Sequence, residues 1–303
     1  MRAVVAGANG NLGRLCLLQL RQRPGCEVIG LGRSEMDLGS EASIRAALAA
    51  VGSFDLLINC AAWTDVDACE ADPAKADQIN GHAVGVMGSV AAACQARVIH
   101  VSTDYVFDGS QPLPYREDEA TGPVSVYGSS KRLGEERLLN ASPNHLVLRV
   151  SWLFGSRTGG FPRWVIRQAL KSDALRVVSD KWGSPTSVSD AAEALGFLAF
   201  EARDASGLLH FCNSGQTSWR DWGQEALDQA AAAGLPLKTT RLGETTMEAL
   251  AAEAGWRARR PVHSALCNER YGALRGEKPR SWQEALAGSL QNELASLAGA
   301  NEL

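Results

Sequence analysis

The segment Arg2-Ala-Val-Val-Ala-Gly7-Ala-Asn-Gly10-Asn-Leu-Gly13 decides the fold. It begins as a strand-like apolar run, and a helical pattern over 11–23 starts within the glycines. Glycines at this spacing meet three demands: a tight turn, close approach of backbone to a pyrophosphate, and tight packing of helix on strand. The amino end of the helix adds N–H groups and the positive end of a dipole for the phosphates. A glycine-rich turn could serve packing alone. Strand, loop and helix agree with one another at residue 7, and the reading is dinucleotide binding.

Outward from this loop the alternation continues. Runs rich in Val, Ile or Leu lie at 2–7, 27–32, 55–61, 97–102 and 145–150. Continuously apolar runs of that length suit strands buried on both faces. Helical spacing fills 11–23, 41–51, 71–95 and 127–140. The expectation is an α/β fold, a Rossmann-like doubly wound parallel sheet whose ligands sit at the carboxyl ends of the strands. Beyond residue 150 the pattern changes: helix at 161–171, strand at 175–180, helix at 188–202, strand at 207–213. Helices at 219–233 and 245–255 follow, and a last one begins near Ser281. This predicts a dinucleotide-binding domain over 1–150, rejoined by about 188–216, and a smaller α/β substrate-binding lobe in most of 151–303.

Composition narrows the class. Net charge is −4, which argues against a nucleic-acid binder with a basic face. The cluster Arg257, Arg259 and Arg260 is read as a solvated face or as an anion contact. Seven scattered cysteines without a Cys-x-x-Cys pair suit reduced thiols in the cytoplasm. The five histidines show no metal-ligand spacing, so no metal site is expected. No signal-peptide pattern and no apolar stretch of about 18 residues appears, so no membrane segment is expected.

Two places carry chemistry. At the tip of the second strand Arg33 stands where an acid would accept from the ribose 2′-hydroxyl of NAD. A guanidinium there suits the 2′-phosphate of NADP instead. Asp37 still lies within reach of the adenosine half, so NAD remains the alternative. Tyr127-Gly-Ser-Ser-Lys131 puts a phenol and an amine one helical turn apart on one face. A nearby ammonium and an oxidised coenzyme's positive ring would lower the phenol's pKa. Thr103 follows the fourth strand, where its hydroxyl can orient a carbonyl beside the phenol.

These stretches resemble the dTDP-4-dehydrorhamnose reductase family of extended short-chain dehydrogenases/reductases, nearly end to end. The likeness includes Ile58-Asn-Cys-Ala-Ala62, Ser102-Thr-Asp-Tyr-Val-Phe-Asp-Gly109, Pro123 to Lys131, Arg149-Val-Ser-Trp-Leu-Phe-Gly155, Gly183-Ser-Pro-Thr186 and Arg260-Pro261. It implies Thr103, Tyr127 and Lys131 as the catalytic set. Gly7, Gly10, Asn11, Leu12 and Gly13 would hold the pyrophosphate. Asp37 and Leu38 would border the adenine, with Ala61 and Ala62 along the coenzyme. Thr64, Val66 and Trp152 would meet the substrate beside Thr103, Asp104 and Tyr127; Trp152 also reads as a core aromatic. Asn11 stands where Gln is common and His263 where Asn is usual, and Trp63 and Asp65 also depart from the pattern. Magnesium has no transferable ligand set.

The implied reaction is NADPH-dependent reduction of the 4-keto group of a nucleotide-activated 6-deoxyhexose, dTDP-4-dehydro-L-rhamnose to dTDP-L-rhamnose. The implied partners are the nucleotide sugar and a second copy of the chain in a homodimer. Two alternatives share the scaffold. A sugar-nucleotide epimerase or dehydratase is one, although Tyr105 stands where a dehydratase would carry a second acid. A non-catalytic subunit of the methionine adenosyltransferase β type is the other.

Overall fold

The computed structural model describes residues 1–155 and 160–300, with backbone alone from 292 onward. Strands β1 (Arg2–Ala6), β2 (Glu27–Leu31), β3 (Leu56–Asn59), β4 (Arg97–Thr103) and β5 (Leu146–Val150) alternate with helices. These are α1 (Asn11–Arg21), α2 (Glu41–Val51), α3 (Val66–Ala71), α4 (Pro73–Ala76), α5 (Ala83–Ala93) and α6 (Val126–Ala141). Then come β6 (Leu153–Phe154), α7 (Phe161–Ala169), β7 (Arg176–Val178), β8 (Trp182–Gly183), β9 (Thr186–Ser187), α8 (Val188–Phe200) and β10 (Gly207–His210). The described chain ends through β11 (Thr217–Ser218), α9 (Trp219–Ala232), β12 (Gly243–Thr245), α10 (Met247–Ala254), α11 (Glu269–Arg275) and α12 (Trp282–Ala300).

One parallel sheet organises the molecule, in the order β10-β5-β4-β3-β1-β2. From β1 the chain runs first to β2 on one side and then to β3 on the other. The crevice at that reversal, outside the carboxyl ends of β1 and β3, is where such sheets take their ligands. Both faces are covered. Val5, Ile58, Ile99 and Leu148 pack with Leu17 of α1 and Leu195 of α8 on one side. On the other, Val4, Leu57, Val98 and Val147 pack with Ile44, Met87 and Leu138. A third core gathers Val165, Ile166, Trp222, Leu227, Trp282 and Leu286 from α7, α9 and α12.

Several departures from the sequence reading have local causes. The long helix expected over 71–95 is broken in two places. Asp72 (φ −143°, ψ 75°) leaves the helical region, and its side chain caps α4 by accepting from Lys75 N; Pro73 then starts the new helix. Residues Asp77–His82 form a π-helical turn before α5. β3 stops at Asn59, whose side-chain oxygen accepts from Ala61 N. The helix expected at 245–255 starts at Met247, capped by Thr246, because Gly243–Thr245 pairs with β7. Helix α11 and the short pairs β6/β9 and β8/β11 carry too few residues to show a period.

Candidate active site

The glycine loop lies at the crevice. Gly7 has φ +75°, and a Cβ on it would come within 2.9–3.0 Å of Ala61 across the β1/β3 gap. A Cβ on Gly13 would fall 2.1 Å from Gly7 O, so the helix sits directly on the turn. Gly10, at the N-cap of α1, has no side chain to cap with, and the first turn holds no acid. The amino end of α1 therefore presents backbone N–H groups and dipole to the loop. Leu12 contributes backbone only, since its side chain is in the core. Asn11 is exposed beside it.

A cavity of about 320 Å³ opens along this crevice, lined among others by Gly10, Arg33, Asp37, Leu38, Ala61 and Ala62. The fit to a dinucleotide is good: an N–H-rich turn that tolerates no Cβ at one end, and an exposed guanidinium at the other. Two side chains were missed, one lining the cavity and one at the tip of β2 beside lining residue Arg33. Lys75 reaches into the cavity wall with its ammonium 4.6 Å from the Trp63 ring centroid. At the tip of β2, Glu35 folds back to accept from Gly32 N at 2.8 Å. The Ser34 hydroxyl and the Gly32 N–H hold its carboxyl below the usual range. An acid is thus present near Arg33 after all, three residues past Gly32, where no strand-tip rule looks for it.

Thr103 ends β4, and Tyr127 lies in the first turn of α6, which Ser125 caps by accepting from Gly128 N. All of Thr103, Asp104, Tyr127 and Lys131 are buried. The lowering expected from an ammonium and an oxidised coenzyme's ring is opposed by the protein surroundings alone. Burial pushes Tyr127 up, the Thr103 hydroxyl pulls the other way, and Asp104 and Cys69 add to the rise. Lys131 is turned elsewhere, its Nζ 2.8 Å from Val101 O and 3.0 Å from His100 Nε2. Burial lowers its pKa to about 8 against the pull of Glu135 and Cys60. A phenol so raised keeps its proton at neutrality, which is the state a proton donor needs.

Asp104 accepts from Thr103 Oγ1 at 3.2 Å, and burial raises its pKa against Ser264 and Lys181. Lys181, which sequence reasoning passed over, is wholly buried and donates to Pro261 O at 2.7 Å. Val66 packs near Tyr127, while Thr64 is exposed at the start of the same loop. Trp152 is half-buried with φ +45°; it stacks on Trp222 at 5.5 Å, and its ring lies where a Cβ on Gly183 would be. Its indole therefore belongs at least in part to the aromatic packing of the third core.

Of the basic cluster, Arg257 and Arg259 are exposed. Arg260 lies 3.7 Å from the Trp256 ring centroid and donates to Asp67 Oδ2 at 2.5 Å. Asp67 also accepts from Arg257 N and Ala258 N. Burial raises the Asp67 carboxyl, but Arg260 and the two N–H groups outweigh it and hold it below its usual range. Arg260 thus binds an internal anion. Among the described residues no group of three or more His, Cys, Asp or Glu side chains could hold a metal ion, and no helix is long and apolar enough to cross a membrane.

Comparison with known proteins gives the family and the fold. Residues 1–295 match the family model described as RmlD substrate binding domain. The chain is 34% identical over 293 residues to a dTDP-4-dehydrorhamnose reductase of Sinorhizobium fredii, covering 94% of this chain and 95% of that one. A crystal structure of a dTDP-4-dehydrorhamnose reductase from Clostridium acetobutylicum superposes with a TM-score of 0.86 at 30% identity, over 96% and 99% of the two chains. The Bacillus anthracis dTDP-4-dehydrorhamnose reductase, solved in complex with NADP, gives 0.84 at 26% identity with the same coverage.

Proposed function

Since this chain belongs to the RmlD substrate-binding-domain family, we propose that it reduces the 4-keto group of dTDP-4-dehydro-L-rhamnose, giving dTDP-L-rhamnose, with NADPH as reductant. The carrying observation is the Tyr127 phenol. It is buried, burial pushes its pKa up, and the Thr103 hydroxyl at the carboxyl end of β4 acts against that rise, beside the strand whose end lines the dinucleotide cavity.

When bound, the coenzyme supplies hydride to the carbonyl carbon. Tyr127 donates its proton to the carbonyl oxygen. Thr103 holds that oxygen beside the phenol, and Asp104 orients Thr103 by accepting from it. Lys131 holds the nicotinamide ribose. Gly7, Gly10, Asn11, Leu12 and Gly13 cradle the pyrophosphate with backbone N–H groups. Asp37 and Leu38 border the adenine, Arg33 takes the 2′-phosphate, and Ala61 and Ala62 flank the coenzyme. Thr64, Val66 and Trp152 line the sugar side. The division into a dinucleotide-binding domain (1–150, rejoined by 188–216) and a substrate lobe belongs to the same proposal; β10 lying in the main sheet supports it. So does a cytoplasmic location, which the seven free thiols suit. Assembly as a homodimer rests on the family resemblance.

The test is purified protein with dTDP-4-dehydro-L-rhamnose, following loss of NADPH absorbance and formation of dTDP-L-rhamnose by NMR. An unchanged coenzyme signal from protein that binds NADPH would overturn the proposal. Arg33→Ser should weaken NADPH binding about tenfold, the equivalent of ~1.4 kcal/mol, and leave NADH binding within about twofold. Fluorescence titration with both coenzymes reads the difference; equal losses would remove Arg33 from the 2′-phosphate.

A further inference from the structure

A buried chain of hydrogen bonds leads to Lys131 through Asn59 and His100, two residues that the mechanism above does not use. Ala61 N is 2.9 Å from Asn59 Oδ1, Asn59 Nδ2 is 2.9 Å from His100 Nδ1, His100 Nε2 is 3.0 Å from Lys131 Nζ, and Lys131 Nζ is 2.8 Å from Val101 O. Asn59 and His100 are wholly buried and Lys131 is 1% exposed. The direction of the chain is set at its first link. A backbone N–H can only donate, so Asn59 must face Ala61 with its oxygen and the ring with its NH₂. An amide NH₂ also only donates, so His100 Nδ1 must accept. A neutral imidazole whose Nδ1 accepts carries its proton on Nε2. That N–H points at Lys131, and an ammonium has no lone pair to receive it.

We propose that His100 is a positioning residue whose Nε2–H donates to Lys131 Nζ and so favours the uncharged amine of this lysine in the free enzyme, and that the coenzyme's entry recharges it. Every link is then satisfied: the amine accepts from His100, donates to Val101 O, and keeps a second N–H for a ribose hydroxyl. The surroundings agree. Burial drives both His100 and Lys131 toward their uncharged forms. Lys131 is faced by His100 from β4, by Cys60 from the loop after β3, and by Glu135 from its own helix. Glu135 favours the ammonium, but its carboxylate is already taken by Arg149 at 2.7 and 2.8 Å and by the Ser102 hydroxyl at 2.6 Å. The phosphates of an arriving coenzyme favour the ammonium again. Only this recharging rests on the reading of Lys131 as a coenzyme ligand.

The experiment is a two-bond ¹H–¹⁵N spectrum of the coenzyme-free protein labelled on histidine, with the His100 signal assigned by its loss in His100→Gln. The expected result is the Nε2–H tautomer. An Nδ1–H tautomer or a doubly protonated ring overturns the proposal, and the wild-type protein alone decides this. Asn59→Asp reverses the chain, because a carboxylate accepts from both Ala61 N and a ring Nδ1–H; His100 should switch to the Nδ1–H tautomer there. Calorimetry of NADPH binding near pH 8 in buffers of different ionisation enthalpy should show uptake of a fraction of a proton by the wild type and loss of that uptake in Asn59→Asp. A buffer-independent enthalpy in the wild type removes the recharging step. Failure to bind NADPH at all would sink the functional reading, while the tautomer would still stand or fall by the spectrum.

Discussion

Tyr127→Phe should lower kcat by about 10³-fold, within the ~10²–10⁴-fold range of a lost general acid, with NADPH binding unchanged within about twofold. The substitution removes one oxygen and keeps the ring, which packs edge-on against Tyr105 at 5.5 Å. The first turn of α6 and its Ser125 cap are untouched. What disappears is the phenol hydroxyl whose titration the Thr103 hydroxyl influences, the group proposed to deliver a proton to an oxyanion formed there. The loss should fall on kcat and kcat/KM alike, the signature of an interaction made in the transition state. Steady-state kinetics beside a fluorescence titration of NADPH tests it. A kcat within threefold of wild type would mean that another group, or water, supplies the proton.

The largest effect on stability is expected at Arg149→Met. Arg149 and Glu135 are the most deeply buried ion pair among the described residues, at 1% and 0% side-chain exposure. The guanidinium meets the carboxylate through Nε and Nη2, and lies 5.1 Å from the Phe107 ring centroid. Methionine fills much of the volume but leaves the Glu135 carboxylate in the interior with only Ser102 and the longer 3.5 Å contact from Arg132. Breaking one side of such a pair costs about 3–5 kcal/mol, a fall in Tm of roughly 10 °C for a chain of this size. Removing both charges, in Glu135→Gln with Arg149→Met, should recover part of the loss, since the stranded charge rather than the missing attraction dominates. Thermal and urea unfolding of the three proteins provides the check; a single variant within 1 kcal/mol of wild type would show that water reaches Glu135.

Much of this was legible in the residues, for physical reasons that differ from place to place. The sheet could be read because strands covered on both faces must be continuously apolar, and Val4, Leu57, Val98 and Val147 on one face are each followed by an apolar neighbour, Val5, Ile58, Ile99 and Leu148, on the other. The glycine loop could be read because steric demand leaves no other residue at Gly7 and Gly13. What escaped were pairings between distant segments. Arg149 stood in a recognised stretch and Glu135 in the helical span over 127–140, yet nothing in their spacing says that they meet. The same holds for Asp67 with Arg260, and for Asn59 with His100 and Lys131. In the coenzyme-free chain the lysine one turn along the helix has partners on β4 that the helix itself does not reveal.

The wide turn at Asp77–His82 acts as an extra residue spliced into a helix. It lets Asn80 point inward, where it accepts from Trp63 N, donates to Trp63 O and donates to Ser130 Oγ, fixing the loop that borders the dinucleotide crevice. Excising one residue there would give back a regular 3.6-residue winding, but everything upstream would rotate by about 100° relative to α5. Asn80 and Lys75 could then no longer both keep their places around Trp63. Length in this stretch is therefore not free to drift: the crevice wall is held in phase by a helix that is one residue too long.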